Sequence, residues 1–228
     1  MRYASSQCAD IPLAFYVLAT VALITRAFET PSERLPWLLA GVSAGLAAWT
    51  KNEGMLFLVT CFAVVAIRSF CVADRDGWKY LGSLVAGASP MLLAVMLLKS
   101  ITPGNDLVQA ATLQSLLDAI GNETRLNAVF ARIGRELWFG GASTIGVLPL
   151  VAAFTAVAGV RTNSNPGPLI GLATSGLLIV GYGAFYVMTP HNLAWHMNTS
   201  LDRVMLHAFP ALVWCAMMMA KEESMTRS

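Results

Sequence analysis

Long apolar runs that charged residues interrupt only at their ends limit this chain more than any other feature. A helix crossing a bilayer needs about 20 mostly apolar residues, with a usual range of about 17–25. Seven segments meet or approach that length: 11–28, 35–50, 54–73, 80–98, 137–160, 168–190 and 204–220. They are continuous rather than alternating, and rich in Leu and Ala, which argues against β-strands. Within lipid each backbone N–H must bond inside its own segment, which leaves helices. The expectation is an all-α, polytopic transmembrane helical bundle of about seven spans forming a single domain over 1–228.

Composition agrees. Of 228 residues, 56% are hydrophobic and 12% charged, against about 25% charged in soluble domains. A net charge of +2 gives no reason to expect a nucleic-acid partner. Cys8, Cys61, Cys71 and Cys215 form no C-x-x-C pair and read as small buried hydrophobes. No cleavable signal is visible, because Arg2 is followed by a polar run and the first apolar run starts at Ile11.

Short-loop Lys and Arg set the orientation. One side holds Arg26, Arg34, Arg68, Arg75, Lys79, Arg161, Lys221 and Arg227; the other holds Arg2, Lys51 and Arg203. The first side is therefore assigned to the cytoplasm, with the C-terminus, and Met1 to the outside. Such an arrangement, with no signal, is expected of a fragment or split gene, or of re-initiation at an internal Met. The outer loop, 99–136, carries two apolar patterns at helical spacing, one over 107–120 and one over 126–137, broken at Gly121-Asn122. These read as amphipathic helices on the outer surface, where Arg125, Arg132 and Arg135 meet lipid phosphates or are simply solvated.

Charge near the hydrocarbon core is costly and is a functional signal by default. Three polar clusters qualify, all on the outer side. Asp10, followed by Pro12, starts the first span. It either caps that helix or supplies a carboxylate that positions a nucleophile or helps hold Mg²⁺ or Mn²⁺, hard ions that take oxygen ligands. Lys51-Asn52-Glu53 closes two apolar runs in a tight turn. It is either an interfacial ion pair of little worth or a fixed positive charge where a lipid phosphate would lie. The third cluster runs from Tyr186 to Arg203 as a connector containing His191, His196, Asp202 and Arg203. There Asp202 either caps the last span or supports Arg203 in bidentate phosphate binding. His191, His196 and His207 have no i, i+4 relation among them, which argues against zinc.

These stretches resemble the GT-C superfamily of polytopic glycosyltransferases that use polyprenyl-phosphate sugars, in particular bacterial relatives of protein O-mannosyltransferases and aminoarabinose transferases. Ala9-Asp10-Ile11-Pro12-Leu13 resembles the start of a span after the second outer loop. Gly45-Leu46-Ala47-Ala48-Trp49-Thr50-Lys51 resembles a G-L-A-x-L-T-K stretch. Trp195-His196 and Thr199-Ser200-Leu201-Asp202-Arg203 resemble a late outer loop. The resemblance implies a transferase of the bacterial inner membrane whose site faces the periplasm or exterior. It would take a polyprenyl-phosphate-linked sugar amid membrane lipids. Asp10 becomes the catalytic acid of the second loop and Lys51 the phosphate-contacting lysine. The chemistry of Arg203 adds a second phosphate contact, and Asn52, Glu53, His196 and Asp202 support them. The family's first outer loop, with the acid assigned as general base, would precede Met1, which implies an N-terminally truncated member. The competing expectations are a transporter or flippase-like protein and a non-catalytic fragment.

Overall fold

The computed structural model describes residues 9–72, 77–101, 121–139, 146–160, 165–189 and 192–220. The described residues form helices with no named strand: α1 (Asp10–Glu29), α2 (Leu35–Thr50), α3 (Asn52–Cys71), α4 (Gly77–Ile101), α5 (Glu123–Phe139), α6 (Val147–Ala158), α7 (Gly167–Met188), α8 (Leu193–Leu206) and α9 (Phe209–Met218). The fold is all-α. Five helical stretches are long and apolar enough to cross a membrane: α1, α3, α4, α7, and α8 with α9 taken together as Leu193–Met218. α2 and α6 are shorter apolar helices. Large apolar side chains such as Phe15, Ile67, Phe70, Leu93 and Met96 are exposed. A band of that kind is a liability in water and is satisfied by lipid, so the chain reads as an integral membrane protein.

α1 runs through the centre. Leu13, Val17, Val21 and Ile24 bury one face at spacings of four, four and three, the stripe of a helix packed along its length. It packs on α2 and α7, and Ser43 of α2 donates to the Tyr16 carbonyl at 3.1 Å. The opposite face of α2 meets α4 through small residues. A Cβ on Gly41 would sit 2.0 Å from the Leu84 carbonyl oxygen, and one on Gly87 would sit 2.1 Å from that of Leu38. Small residues let two helix backbones approach this closely, the usual means of association where lipid removes the hydrophobic drive. At the α2–α3 corner a Cβ on Gly54 would lie 1.8 Å from the Ala47 carbonyl oxygen. Only glycine permits that hairpin, whose single non-helical residue is Lys51.

Two sequence boundaries move. The expected span 137–160 divides: 137–139 belong to α5, and the apolar helix covers only Val147–Ala158. The expected outer loop 99–136 gives up its first residues to α4, which ends at Ile101. α5 has the amphipathic pattern read over 126–137, with Val129, Ile133 and Glu136 buried. Its expected companion over 107–120 lies outside the described residues, as do Cys8, Pro190 and His191.

The largest correction concerns Tyr186 to Arg203. α7 runs to Met188, and from Leu193 the chain is already helical, so His196, Asp202 and Arg203 project from α8. Asn192 caps α8, accepting from the Trp195 N–H at 3.1 Å, the standard satisfaction of an orphan donor. Asp202, mid-helix, caps nothing. The helix breaks at 207–208, where the His207 and Ala208 amides bond three residues back. Pro210 lies just beyond and has no N–H for the Leu206 carbonyl, which explains the break.

Candidate functional site

Asp10 opens α1 but does not cap it. Ala9 occupies the cap position without a side-chain bond, and the Asp10 carboxylate is turned into the bundle, with the residue 3% exposed. There it meets residues from two other parts of the chain. Lys51 Nζ is 2.8 Å from Oδ1, and His207 Nε2 is 3.0 Å from the same oxygen. Arg203 reaches Oδ2 through both Nε and Nη2 at 3.2 Å. Lys51 also pairs with Glu53 at 3.1 Å.

The local folding explains this convergence. Lys51 is the one residue between α2 and α3, and the hairpin that Gly54 permits brings its side chain to the start of α1. Arg203 and His207 are one helical turn apart, so they share a face of α8. His207 stands at the Pro210 break.

Beyond His207 the network continues. Tyr182 of α7 lies 3.2 Å from His207 Nδ1. An ionised carboxylate only accepts, so Nε2 must carry the proton given to Asp10. In the neutral imidazole Nδ1 then accepts from the Tyr182 hydroxyl. A single chain of hydrogen bonds thus runs Tyr182, His207, Asp10, Lys51, Glu53.

The formal charges of Asp10, Glu53, Lys51 and Arg203 cancel. The cluster therefore does not hold an anion by net charge. What it offers is oriented donors. The side chains of Lys51 and Arg203 are 25% and 28% exposed, whereas Asp10 is enclosed. Asp10 fixes one end of each cation and leaves the rest of each head accessible.

A divalent cation does not fit at Asp10. Both oxygens already accept from cationic or N–H donors, and a metal would have to displace them among positive neighbours. Among the described residues no three of His, Cys, Asp or Glu gather as a ligand set.

The structure therefore brings Asp10, Lys51, Glu53 and Arg203 together and leaves the other expected residues outside. Asn52 is exposed on the first turn of α3 and makes no hydrogen bond into the cluster. His196 faces Thr189, with Nδ1 at 2.9 Å from the hydroxyl, and packs edge-on to Tyr186 at 5.0 Å. Asp202 accepts from the Arg203 amide at 3.0 Å and does not touch Asp10. His207 and Tyr182 were not anticipated. The available signals were the i, i+4 relation of Arg203 to His207 and the presence of a titratable ring inside an apolar run.

Next to this cluster, α5 lies across the end of α7. The Arg125 guanidinium donates to the Thr189 carbonyl, and Arg132 pairs with Glu136 at 3.3 Å. Burial pushes the Glu136 carboxyl above its ordinary range. Arg132 opposes the shift, Asp202 adds to it, and Arg135 opposes it.

No family model, curated protein or solved structure matches this chain.

Proposed function

We propose that the chain is the membrane core of a glycosyltransferase that takes a sugar from a polyprenyl-phosphate donor and passes it to an acceptor on the non-cytoplasmic face. The observation that carries this reading is the arrangement around Asp10. An enclosed carboxylate holds one lysine, from the α2–α3 corner, and one arginine, from α8, with their heads partly open at one end of an apolar bundle.

Transfer breaks the bond between the anomeric carbon and the phosphate oxygen and forms one to the acceptor oxygen. The electron pair goes to the leaving phosphate. Lys51 and Arg203 are N–H donors already in place where that charge would grow, and preorganised donors act mainly on the transition state. Asp10 serves here as the group that positions them, because both its oxygens are engaged. The acceptor proton needs another carboxylate. Glu53, with its side chain 28% exposed and paired to Lys51, is the one in this cluster open to it. A base in that place contributes typically about 10² to 10⁴ in rate. The resemblance of the Ala9–Leu13, Gly45–Lys51 and Trp195–Arg203 stretches to GT-C enzymes supports the same reading, in which the site would face the periplasm of a bacterial inner membrane.

The test supplies labelled polyprenyl-phosphate sugar to membranes containing the full-length protein. Removing one preorganised donor costs about 10² to 10³ in turnover, so Lys51→Ala is expected to lose transfer to that extent. Unchanged turnover in this variant ends the proposal.

A second reading has one observation in its favour. The hydrogen-bonded run from Tyr182 through His207 to Asp10 sets titratable groups in series, the kind of element that intramembrane titratable residues build in transporters. Proton uptake by proteoliposomes, without any sugar donor and abolished in His207→Gln, would select it.

A further inference from the structure

Because the formal charges of Asp10, Glu53, Lys51 and Arg203 cancel, a phosphate docked on the two cations leaves the cluster one charge negative at the end of an apolar bundle. Donors are there to receive it. Lys51 spends two of its three N–H bonds on Asp10 and Glu53. Arg203 turns Nε and Nη2 to Asp10 and keeps Nη1. Uncompensated charge away from water is costly, and a proton taken up beside the ligand offsets it.

His207 is built to take that proton. Its ring is fully buried and lies between Asp10 at Nε2 and the Tyr182 hydroxyl at Nδ1. In the neutral ring Nδ1 accepts from Tyr182. In the charged ring both nitrogens donate, and a hydroxyl oxygen can also accept, so Tyr182 has only to turn its hydrogen away. Both protonation states keep two partners. Asp10 lacks that freedom, since a proton on either oxygen would displace a donor. A carboxyl such as that of Glu53 ordinarily takes its proton about two pH units below an imidazole.

The titratable groups around the ring are Asp10 from α1, Lys51 from the α2–α3 corner, Glu53 from α3, and Tyr182 with Tyr186 from α7. Arg203 and Asp202 come from α8 and Cys215 from α9, and α5 brings Arg132 and Glu136, paired with each other. Asp10, Lys51 and Glu53 are the charges that act on His207. A phosphate on the far side of Lys51, roughly 8 Å from the imidazole, shifts its proton equilibrium about 30-fold at an effective dielectric of about 20. Nδ1 is enclosed, so the proton arrives when the bundle opens briefly, as at buried groups in native proteins generally.

We propose that anion binding at Lys51 and Arg203 is proton-coupled: a phosphate that docks there draws one proton from solvent onto His207 Nδ1. This rests on the reading of the two open heads as a phosphate site. The proton also serves the transfer. The donor arrives as a phosphodiester with one charge and leaves as a monoester whose second ionisation lies near pH 6, at about −1.5 to −2 near neutral pH. The imidazolium, one carboxylate away from Lys51, counters the added charge.

The probe is farnesyl methyl phosphate, a diester with one fixed negative charge, no proton of its own to bring near neutral pH and no sugar to transfer. Calorimetric titration of the full chain in neutral maltoside micelles, in two buffers of different ionisation enthalpy at each pH, counts the protons taken up per ligand bound. Uptake is expected to peak at about 0.7 proton, the value a 30-fold shift requires, and Kd to weaken about 30-fold from the acid to the alkaline side of that peak. His207→Gln, whose amide nitrogen can still donate to Asp10, is expected to lose both, and Glu53→Gln to keep the uptake. A second measurement leaves position 207 untouched. His191→Gln/His196→Gln makes His207 the one histidine in the chain, and its ¹⁵N Nδ1 resonance is expected to move from the bare-nitrogen to the protonated range as the diester saturates. Binding without uptake, or an Nδ1 that stays bare at saturation, would overturn the coupling and leave the phosphate reading of the cluster standing. Uptake that survives His207→Gln and vanishes in Glu53→Gln would move the proton to Glu53 and overturn the assignment. An absence of binding at saturating diester would overturn the phosphate reading, and the coupling with it.

Discussion

Each oxygen of Asp10 accepts from a cation, and His207 adds a third donor. An amide in its place keeps the shape but aims an NH₂ at donors. Asp10→Asn is therefore expected to cost about 1–3 kcal/mol, the range for a buried hydrogen bond lost. Glu53→Gln, whose ion pair is more exposed, should cost under about 1 kcal/mol. Thermal unfolding in detergent compares them, and equal losses would contradict the central place given to Asp10. Glu136 makes a prediction of opposite sign. Its pKa is raised in the folded chain, so the folded state holds the proton more firmly than the unfolded one, and stability falls as pH rises through that window. Glu136→Gln removes the titration. The melting temperature of the native chain should drop relative to this variant as pH rises above the ordinary glutamate value of about 4.5, and parallel curves would refute the shift. Asp10, Lys51, Glu53 and Arg203 were legible in the sequence because charge is conspicuous beside apolar runs. His207 was not, because its spacing from His191 and His196 says only that the three do not form a metal set. Its actual neighbours, Arg203 one turn back and Tyr182 on another helix, become visible only once α8 is known to be a helix.

α1, α3, α4 and α7 could be read from their hydrophobic runs to within a few residues. α8 could not, since its histidine, its asparagine and its Asp-Arg pair look like a connector. What makes it a helix is tertiary: Met197, Leu201 and Val204 bury one face while Asn192 caps the start. Close packing was equally hidden. Nothing in composition says which glycines of α4 matter, yet Gly87 abuts the Leu38 carbonyl while a Cβ on Gly82 meets nothing within 4 Å. Two substitutions on this one helix therefore separate packing from propensity. Gly87→Leu must push α2 and α4 apart and should cost at least about 1–3 kcal/mol, the usual penalty of overpacking. Gly82→Leu should be neutral or gain up to about 1 kcal/mol from better helix propensity. Unfolding curves in one detergent decide it, and similar losses at both positions would remove the α2–α4 contact from the account.

At the scale of the molecule, α2 has a basic residue at each end: Arg34 precedes its first turn, and Lys51, in the Asp10 cluster, follows its last. If the bundle spans a bilayer, the two ends face different compartments, and the Lys and Arg bias of the short loops favours the cytoplasm for the Arg34 end. This requires α2, short as it is at about 24 Å, to bridge most of a hydrocarbon core about 30 Å thick. Its burial against α1, α3 and α4 makes that feasible, because its ends meet protein more than lipid. Single cysteines in a background lacking the native four test the arrangement without touching the ion-pair network. Asn52 and Glu33 are both exposed, one at each end. In intact cells a membrane-impermeant thiol reagent should label Asn52→Cys directly and Glu33→Cys only after permeabilisation. The reverse pattern would invert the orientation while keeping the two ends apart. Labelling of both from one side would mean that α2 does not cross, and the reading of the Asp10 cluster as a site at one membrane face would fall with it.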